Sequence, residues 1–338
     1  MKSRLKETDL NPSLRPIVMW ALTYRCNLRC RYCYLFTSEN EESLGRSDAT
    51  PDVVESIAEN LTNQDDWRPE IVWLTGGEPT LHAQLSWLIH KFESAGVMTV
   101  ITTHGVIESV TALSLAHSRP RGIMVSLDLA DPQRNNALRG GGNRVLETID
   151  LLVREKDPYT TLGVAVVITK QNRLHLKEFA HFLEKRGVEY LSLNPLHNHS
   201  RKTVDLTTFS GGDVDDGIDS ELADISESSS LLLPSTRYLQ LLNAHLKQQE
   251  APRQTCPATY EYAFIAPWGQ VYPCSSEFWH RDNRMAGAPF AANVDFAKTL
   301  PDLRKRLGSG RFSTGSDCYS TRCMGCWKLY YDSVFTRR

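Results

Sequence analysis

Six short apolar runs recur along the first two thirds of the chain: 17–22 (IVMWAL), 70–75 (EIVWLT), 97–103 (VMTVITT), 122–128 (GIMVSLD), 162–169 (LGVAVVIT) and 189–193 (EYLSL). Near-continuous runs of this length, rich in β-branched residues, predict strands buried on both faces, as in a parallel sheet. Between them lie amphipathic stretches. PDVVESIAENL starts with Thr50 as N-cap and Pro51 at the first helical position. LHAQLSWLIHKFESAG stops at Gly96, and LHLKEFAHFLEKRG stops at Gly187. VLETIDLLVREK has the same helical spacing. Six strand–helix units predict an α/β fold, a partial (β/α)6 TIM-like barrel.

The alternation breaks at 199–230, a segment rich in Ser, Gly and Asp that reads as a solvated loop or a lid beside the active face. Residues 235–249 read as a helix, and EYAFIAPWGQVYPC as a β-hairpin turning at Trp268–Gly269. The predicted organisation is an N-terminal extension over 1–16, the barrel over 17–234, and a smaller α+β unit over 235–338.

Composition narrows the function classes. The chain has 338 residues, 41% hydrophobic and 23% charged, with a net charge of −2. No basic stripe and no global field would gather nucleic acid or an anionic membrane. No run approaches the roughly 18 apolar residues of a membrane span, and the N-terminus lacks the apolar core of a signal peptide. A cytoplasmic protein follows as the expectation. In a reducing compartment its eight cysteines point to metal or redox chemistry before disulfides. They fall in two groups, Cys26, Cys30 and Cys33, then Cys256, Cys274, Cys318, Cys323 and Cys326, with none between.

The first group directly follows the first predicted strand, at the carboxyl end where barrel active sites gather. Thiolates select soft metals and iron–sulfur clusters. Three thiolates on a [4Fe–4S] cluster leave one iron open, and an open position is a reactive one, by the logic that separates catalytic from structural zinc sites. The CxxxCxxC pattern, with Tyr32 before its last cysteine, resembles the radical S-adenosylmethionine (SAM) superfamily. LTGGEPTLH after the second strand supports this: Gly76, Gly77, Glu78 and Pro79 resemble the family's GGEP motif, which contacts the SAM amino group. Glycines permit close backbone approach to a ligand, and a carboxylate accepts hydrogen bonds from an ammonium.

The resemblance implies a [4Fe–4S] cluster binding SAM, an external one-electron donor (flavodoxin or ferredoxin), and a 5′-deoxyadenosyl radical that abstracts a substrate hydrogen. It places Ser126 and Asp128 against the SAM ribose or carboxylate, and the Leu193–Leu196 stretch (LNPL) as an apolar wall against adenine. Thr102 begins TTHG, where many members carry Thr-Asn-Gly. His104 replaces the asparagine, as a substrate contact, a proton donor or a structural histidine. Weaker candidates for proton transfer or substrate binding are Tyr24, His197, His199, Tyr260 and Tyr262, with Arg139, beside glycines, as an anion contact or a solvated loop arginine.

The second cysteine group resembles the auxiliary-cluster extensions called SPASM and twitch. It implies a twitch-type domain with one auxiliary [4Fe–4S] cluster on Cys256, Cys274, Cys323 and Cys326, Cys318 being an alternative ligand or a buried small hydrophobe. A ribbon-type zinc site is the rival reading. With only 25 residues ahead of Cys26, no folded peptide-recognition domain is expected there. The expected substrate is therefore a small polar molecule such as a sugar, nucleoside or nucleotide-sugar, undergoing oxidation or C–C bond formation. The alternatives are a peptide- or protein-modifying maturase and, in another class, a non-catalytic iron–sulfur carrier.

Overall fold

A computed structural model describes residues 16–33, 35, 48–64, 67–196, 217–247, 262–272, 291–300 and 302. The five C-terminal cysteines, His197, His199 and Tyr260 lie outside the described residues.

Among the described residues, seven strands run parallel through one sheet. β1 (Ile17–Thr23), β2 (Ile71–Gly76), β3 (Met98–Thr103), β4 (Gly122–Ser126), β5 (Thr161–Ile168) and β6 (Tyr190–Pro195) are joined by crossovers in simple sequence order. All seven residues of β1 and all five of β4 are buried, the two-faced burial that the apolar runs predict. This is the expected partial (β/α) barrel.

The connecting helices are α1 (Pro51–Asn63), α2 (Leu85–Ser94), α3 (Ser109–His117), α4 (Pro132–Leu138), α5 (Asn143–Glu155) and α6 (Leu176–Lys185). Thr50 has the extended backbone of an N-cap, but its side chain makes no capping bond; Pro51 supplies the start. Gly96 and Gly187 follow α2 and α6 with φ of +73° and +81°, the left-handed geometry of a helix stop.

Two expectations need correction. The acidic segment is not loop throughout. α7 (Ile218–Ser228) occupies its end, burying Ile218, Leu222 and Ile225 on one face. Its i, i+4, i+7 spacing is helical, but the surrounding Ser and Asp conceal it. Leu232 then bridges to Tyr190, and Tyr238 of α8 (Thr236–Leu246) donates to the Leu193 carbonyl at 2.8 Å. Together these cover the β6 edge, which would otherwise offer unpaired backbone groups.

The hairpin forms where predicted, with Gly269 at φ +90° in its turn, but it continues the barrel sheet. β7 (Tyr262–Ile265) pairs parallel with β1, Ile17 opposite Tyr262 and Trp20 opposite Ile265, and β8 (Val271–Tyr272) pairs antiparallel with β7. Tyr262 is wholly buried in that contact. Residues 291–300 are also fastened to the barrel. Asn60 Nδ2 donates to the carbonyls of Ala291 (2.6 Å) and Val294 (2.9 Å), and Phe296 stacks on Trp67 with centroids 4.8 Å apart.

Candidate active site

The chain leaves β1 at Thr23 and enters the cysteine loop. Cys26, Cys30 and Cys33 are free and half-buried. Burial raises all three thiol pKa values, Cys33 to about 12, and the Cys30 and Cys26 charges push Cys33 further in the same direction. Without a metal these thiols keep their protons; a soft cation would turn them into thiolates. Among the described residues no three Cys, His, Asp or Glu side chains converge on a point that a single ion could occupy.

The root of this loop is joined to the end of β2. Gly77 N–H donates to the Thr23 carbonyl at 2.6 Å and Glu78 N–H to the Arg25 carbonyl at 2.9 Å. A Cβ on Gly76, whose φ is +135°, would lie 2.2 Å from the Thr23 carbonyl oxygen, and one on Gly77 would lie 2.3 Å from that of Arg25. The approach of the cysteine loop's own backbone therefore requires glycine at both positions.

Glu78 is fully buried and caps the short turn at Pro79–Leu81. Its Oε1 accepts from the hydroxyls of Thr80 (2.7 Å) and Thr103 (2.8 Å), and its Oε2 from the His104 backbone N–H (2.8 Å). Thr103, which sequence reasoning missed, holds this carboxylate, whereas the Thr102 hydroxyl accepts from Trp73 Nε1 at 2.7 Å. Successive strand residues face opposite ways, which separates the two threonines.

His104 is buried, and both ring nitrogens have partners: Nδ1 accepts from Val106 N–H at 2.9 Å, and Nε2 lies 2.6 Å from Asn27 Oδ1. Burial lowers its pKa and outweighs the opposing pull of Glu78. Both ring nitrogens are thus engaged within the protein, as the structural reading of this histidine has it.

Arg139 is likewise not a solvated loop residue. Its guanidinium makes a bidentate pair with buried Asp128, Nε to Oδ2 at 2.8 Å and Nη2 to Oδ1 at 3.1 Å. It also lies 5.2 Å from the Tyr32 ring centroid. Burial opposes its charge, but Asp128 overrides this and holds the guanidinium firmly protonated. The Tyr32 hydroxyl donates to the same carboxylate, and Val167 N–H donates to Asp128 Oδ1 at 2.8 Å. Arg31 N–H donates to the Leu138 carbonyl at 2.9 Å, and the Cys30 thiol lies 3.4 Å from the Arg139 carbonyl oxygen. Asp128 thus braces the cysteine loop from within the protein. Ser126 ends β4 nearby, buried. Tyr32 and Leu196 pack on Leu129 and Leu138 in an apolar cluster separate from the main core. Tyr24 is buried edge-on against Trp268 at 5.8 Å and joins barrel to hairpin.

Residues 20–183 match the family model described as the Radical SAM superfamily. This stretch is a radical SAM domain. Membership of that family implies a [4Fe–4S] cluster and SAM. Among curated proteins, the chain is 30% identical over 179 residues to a probable GTP 3′,8-cyclase of Sulfurisphaera tokodaii, covering 52% of this chain and 54% of that protein. It is 28% identical over 176 residues to the mycofactocin maturase MftC of Mycolicibacterium smegmatis, covering 50% of this chain and 41% of that one. The chain thus spans about half the length of these curated relatives. Among solved structures, Streptococcus suis SuiB bound to its precursor peptide SuiA superposes with a TM-score of 0.66 at 20% identity, covering 93% of this chain and 71% of that one. That is a likeness of fold. Among the described residues no helix is long and apolar enough to cross a membrane.

Proposed function

We propose that this chain cleaves SAM reductively and uses the resulting 5′-deoxyadenosyl radical to abstract a hydrogen atom from a small polar substrate. The observation that carries the reading is the backbone junction that ties the root of the loop bearing Cys26, Cys30 and Cys33 to Gly77 and the buried Glu78. Cys26, Cys30 and Cys33 would hold the [4Fe–4S] cluster. When bound, it supplies the electron that cleaves SAM to methionine and the radical. Glu78, held by Thr80, Thr103 and the His104 amide, would face the SAM amine. Ser126 at the end of β4 would meet the ribose or carboxylate, while the apolar cluster of Tyr32, Leu129, Leu138 and Leu196 would exclude water from the adenosyl end. The Asp128–Arg139 pair keeps the loop from shifting as SAM binds.

Cys256, Cys274, Cys323 and Cys326, with Cys318 as alternative ligand, would hold one auxiliary [4Fe–4S] cluster in a twitch-type unit. With no open coordination position, its role is electron transfer, with flavodoxin or ferredoxin as the outside donor. A second reading, a peptide-modifying maturase, is favoured by the likeness to MftC and SuiB.

The test is anaerobic. Reconstituted protein is reduced with dithionite, mixed with SAM, and assayed for 5′-deoxyadenosine by mass spectrometry, with Cys30→Ala as control. Product that disappears in the variant supports SAM cleavage; none from fully loaded protein refutes it. Deuterium transfer into 5′-deoxyadenosine from labelled nucleotides, against transfer from labelled peptides, decides between the two substrate classes.

A further inference from the structure

Three hydrogen bonds determine the chemical state of the His104 ring. Val106 N–H, 2.9 Å from Nδ1, can only donate, so Nδ1 carries no proton and the ring is neutral. The ring proton is therefore on Nε2. Asn27 must then present its carbonyl oxygen to Nε2, at 2.6 Å, and its amide nitrogen is left to donate to the Val106 carbonyl, at 3.3 Å. The assignments close on themselves: no other tautomer or amide orientation satisfies all three.

Nε2 also lies 3.2 Å from Glu78 Oε2, the oxygen to which the His104 backbone amide donates. Asn27 is the residue after Cys26. One buried ring thus touches the carboxylate assigned to SAM and the loop assigned to the cluster. An asparagine at position 104, as the family resemblance would have it, ends about where Nδ1 does and cannot reach Asn27.

We propose that His104 is a positioning residue that couples Glu78 to the cysteine loop through Asn27, so that SAM affinity depends on a contact SAM itself does not make. This rests on the SAM reading of the preceding section. Coupling of this kind is reciprocal: what loosens Asn27 weakens SAM, and SAM changes the surroundings of Cys26.

Two substitutions separate the ring's two nitrogens. His104→Asn keeps an acceptor for Val106 N–H and loses the reach to Asn27. His104→Gln keeps an N–H at the Nε2 position and loses the acceptor. Iron per chain after anaerobic reconstitution and the SAM Kd, from the SAM-dependent change in the electron paramagnetic resonance spectrum of the reduced cluster, are the readouts. The expected result is normal iron in both variants, with SAM bound about tenfold more weakly by His104→Asn, the scale of one lost buried hydrogen bond. His104→Gln should stay close to wild type. Asn27→Ala should match His104→Asn, and the double variant should be no weaker than either.

A purely structural histidine predicts the reverse order, with His104→Gln the damaged variant, and that order overturns the proposal. So do additive effects of the two substitutions, or a His104→Asn protein that takes up no iron, which would make the ring a support for the loop alone. Wild-type protein that loads its cluster but does not bind SAM overturns the SAM reading together with this inference, whereas SAM binding unchanged in His104→Asn overturns only the inference. A readout independent of any cofactor is ¹⁵N-histidine NMR of the metal-free protein: the His104 resonances should report a proton on Nε2 and shift in Asn27→Ala, and a proton on Nδ1 overturns the proposal.

Discussion

Replacing Gly77 by alanine tests how the two halves of the site are joined. Gly77 does not have a positive φ, so alanine suits its backbone and only the contact opposes it. The new methyl would lie 2.3 Å from the Arg25 carbonyl oxygen and 2.8 Å from that of Tyr24, both backbone atoms that no side-chain rotation can move. Reaching ordinary contact requires the loop root to retreat by about 1 Å. That retreat stretches the bonds from Gly77 N–H to Thr23 (2.6 Å) and from Glu78 N–H to Arg25 (2.9 Å) beyond useful range. Overpacking typically costs about 1–3 kcal/mol and each lost bond about 1 kcal/mol; about 3 kcal/mol together is the expected scale. The assay is thermal denaturation of the metal-free protein alongside iron content after reconstitution. We expect melting lowered by about 5 °C and clearly less iron bound. A Gly77→Ala protein that melts like wild type and loads its full iron would show that the junction is loose, and the reasoning about the site would fail with it.

Asp128→Asn removes the partner of a guanidinium that is about 90% buried; an uncompensated buried charge typically costs about 3–5 kcal/mol, read as a lower denaturant midpoint, and an unchanged midpoint would mean the pair is solvated. In the metal-free protein, burial favours the protonated Cys33 thiol, raising its pKa from 9.0 to about 12. Iodoacetamide labelling of Cys33, followed by peptide mapping, should therefore rise about tenfold per pH unit from pH 8 to 11, and a plateau by pH 9 would contradict the burial. Because the folded-state pKa is the higher one, the associated stability is complete below pH 9 and lost as pH rises toward 12; Cys33→Ser should flatten that part of the stability curve.

Local patterns carried much of this. The barrel strands appear as apolar runs because each is buried on both faces, and Gly96 and Gly187 mark helix ends because few other residues accept left-handed backbone. The cysteine spacing and Gly76–Pro79 are legible for the same reason: the chemistry lies within a few consecutive residues. α7 escaped because the Ser and Asp between Ile218, Leu222 and Ile225 mask their spacing. The pairing of β7 with β1, which carries the hairpin into the barrel sheet, leaves no trace in either segment.

What the covalent order dictates here is which thiols, carboxylate and strands are available. Which of them meet is a property of the folded chain. Arg139 reads as an anion contact or a solvated loop arginine until Asp128 and Tyr32 are brought against it, and the several readings of His104 stand side by side until Val106 and Asn27 meet its two nitrogens. That Gly76 and Gly77 lie against the backbone of Thr23 and Arg25 is likewise visible only in the folded chain. These placements have one cause: burial next to a distant segment sets the charge, tautomer and free volume of a side chain, and no local pattern records which segment that will be.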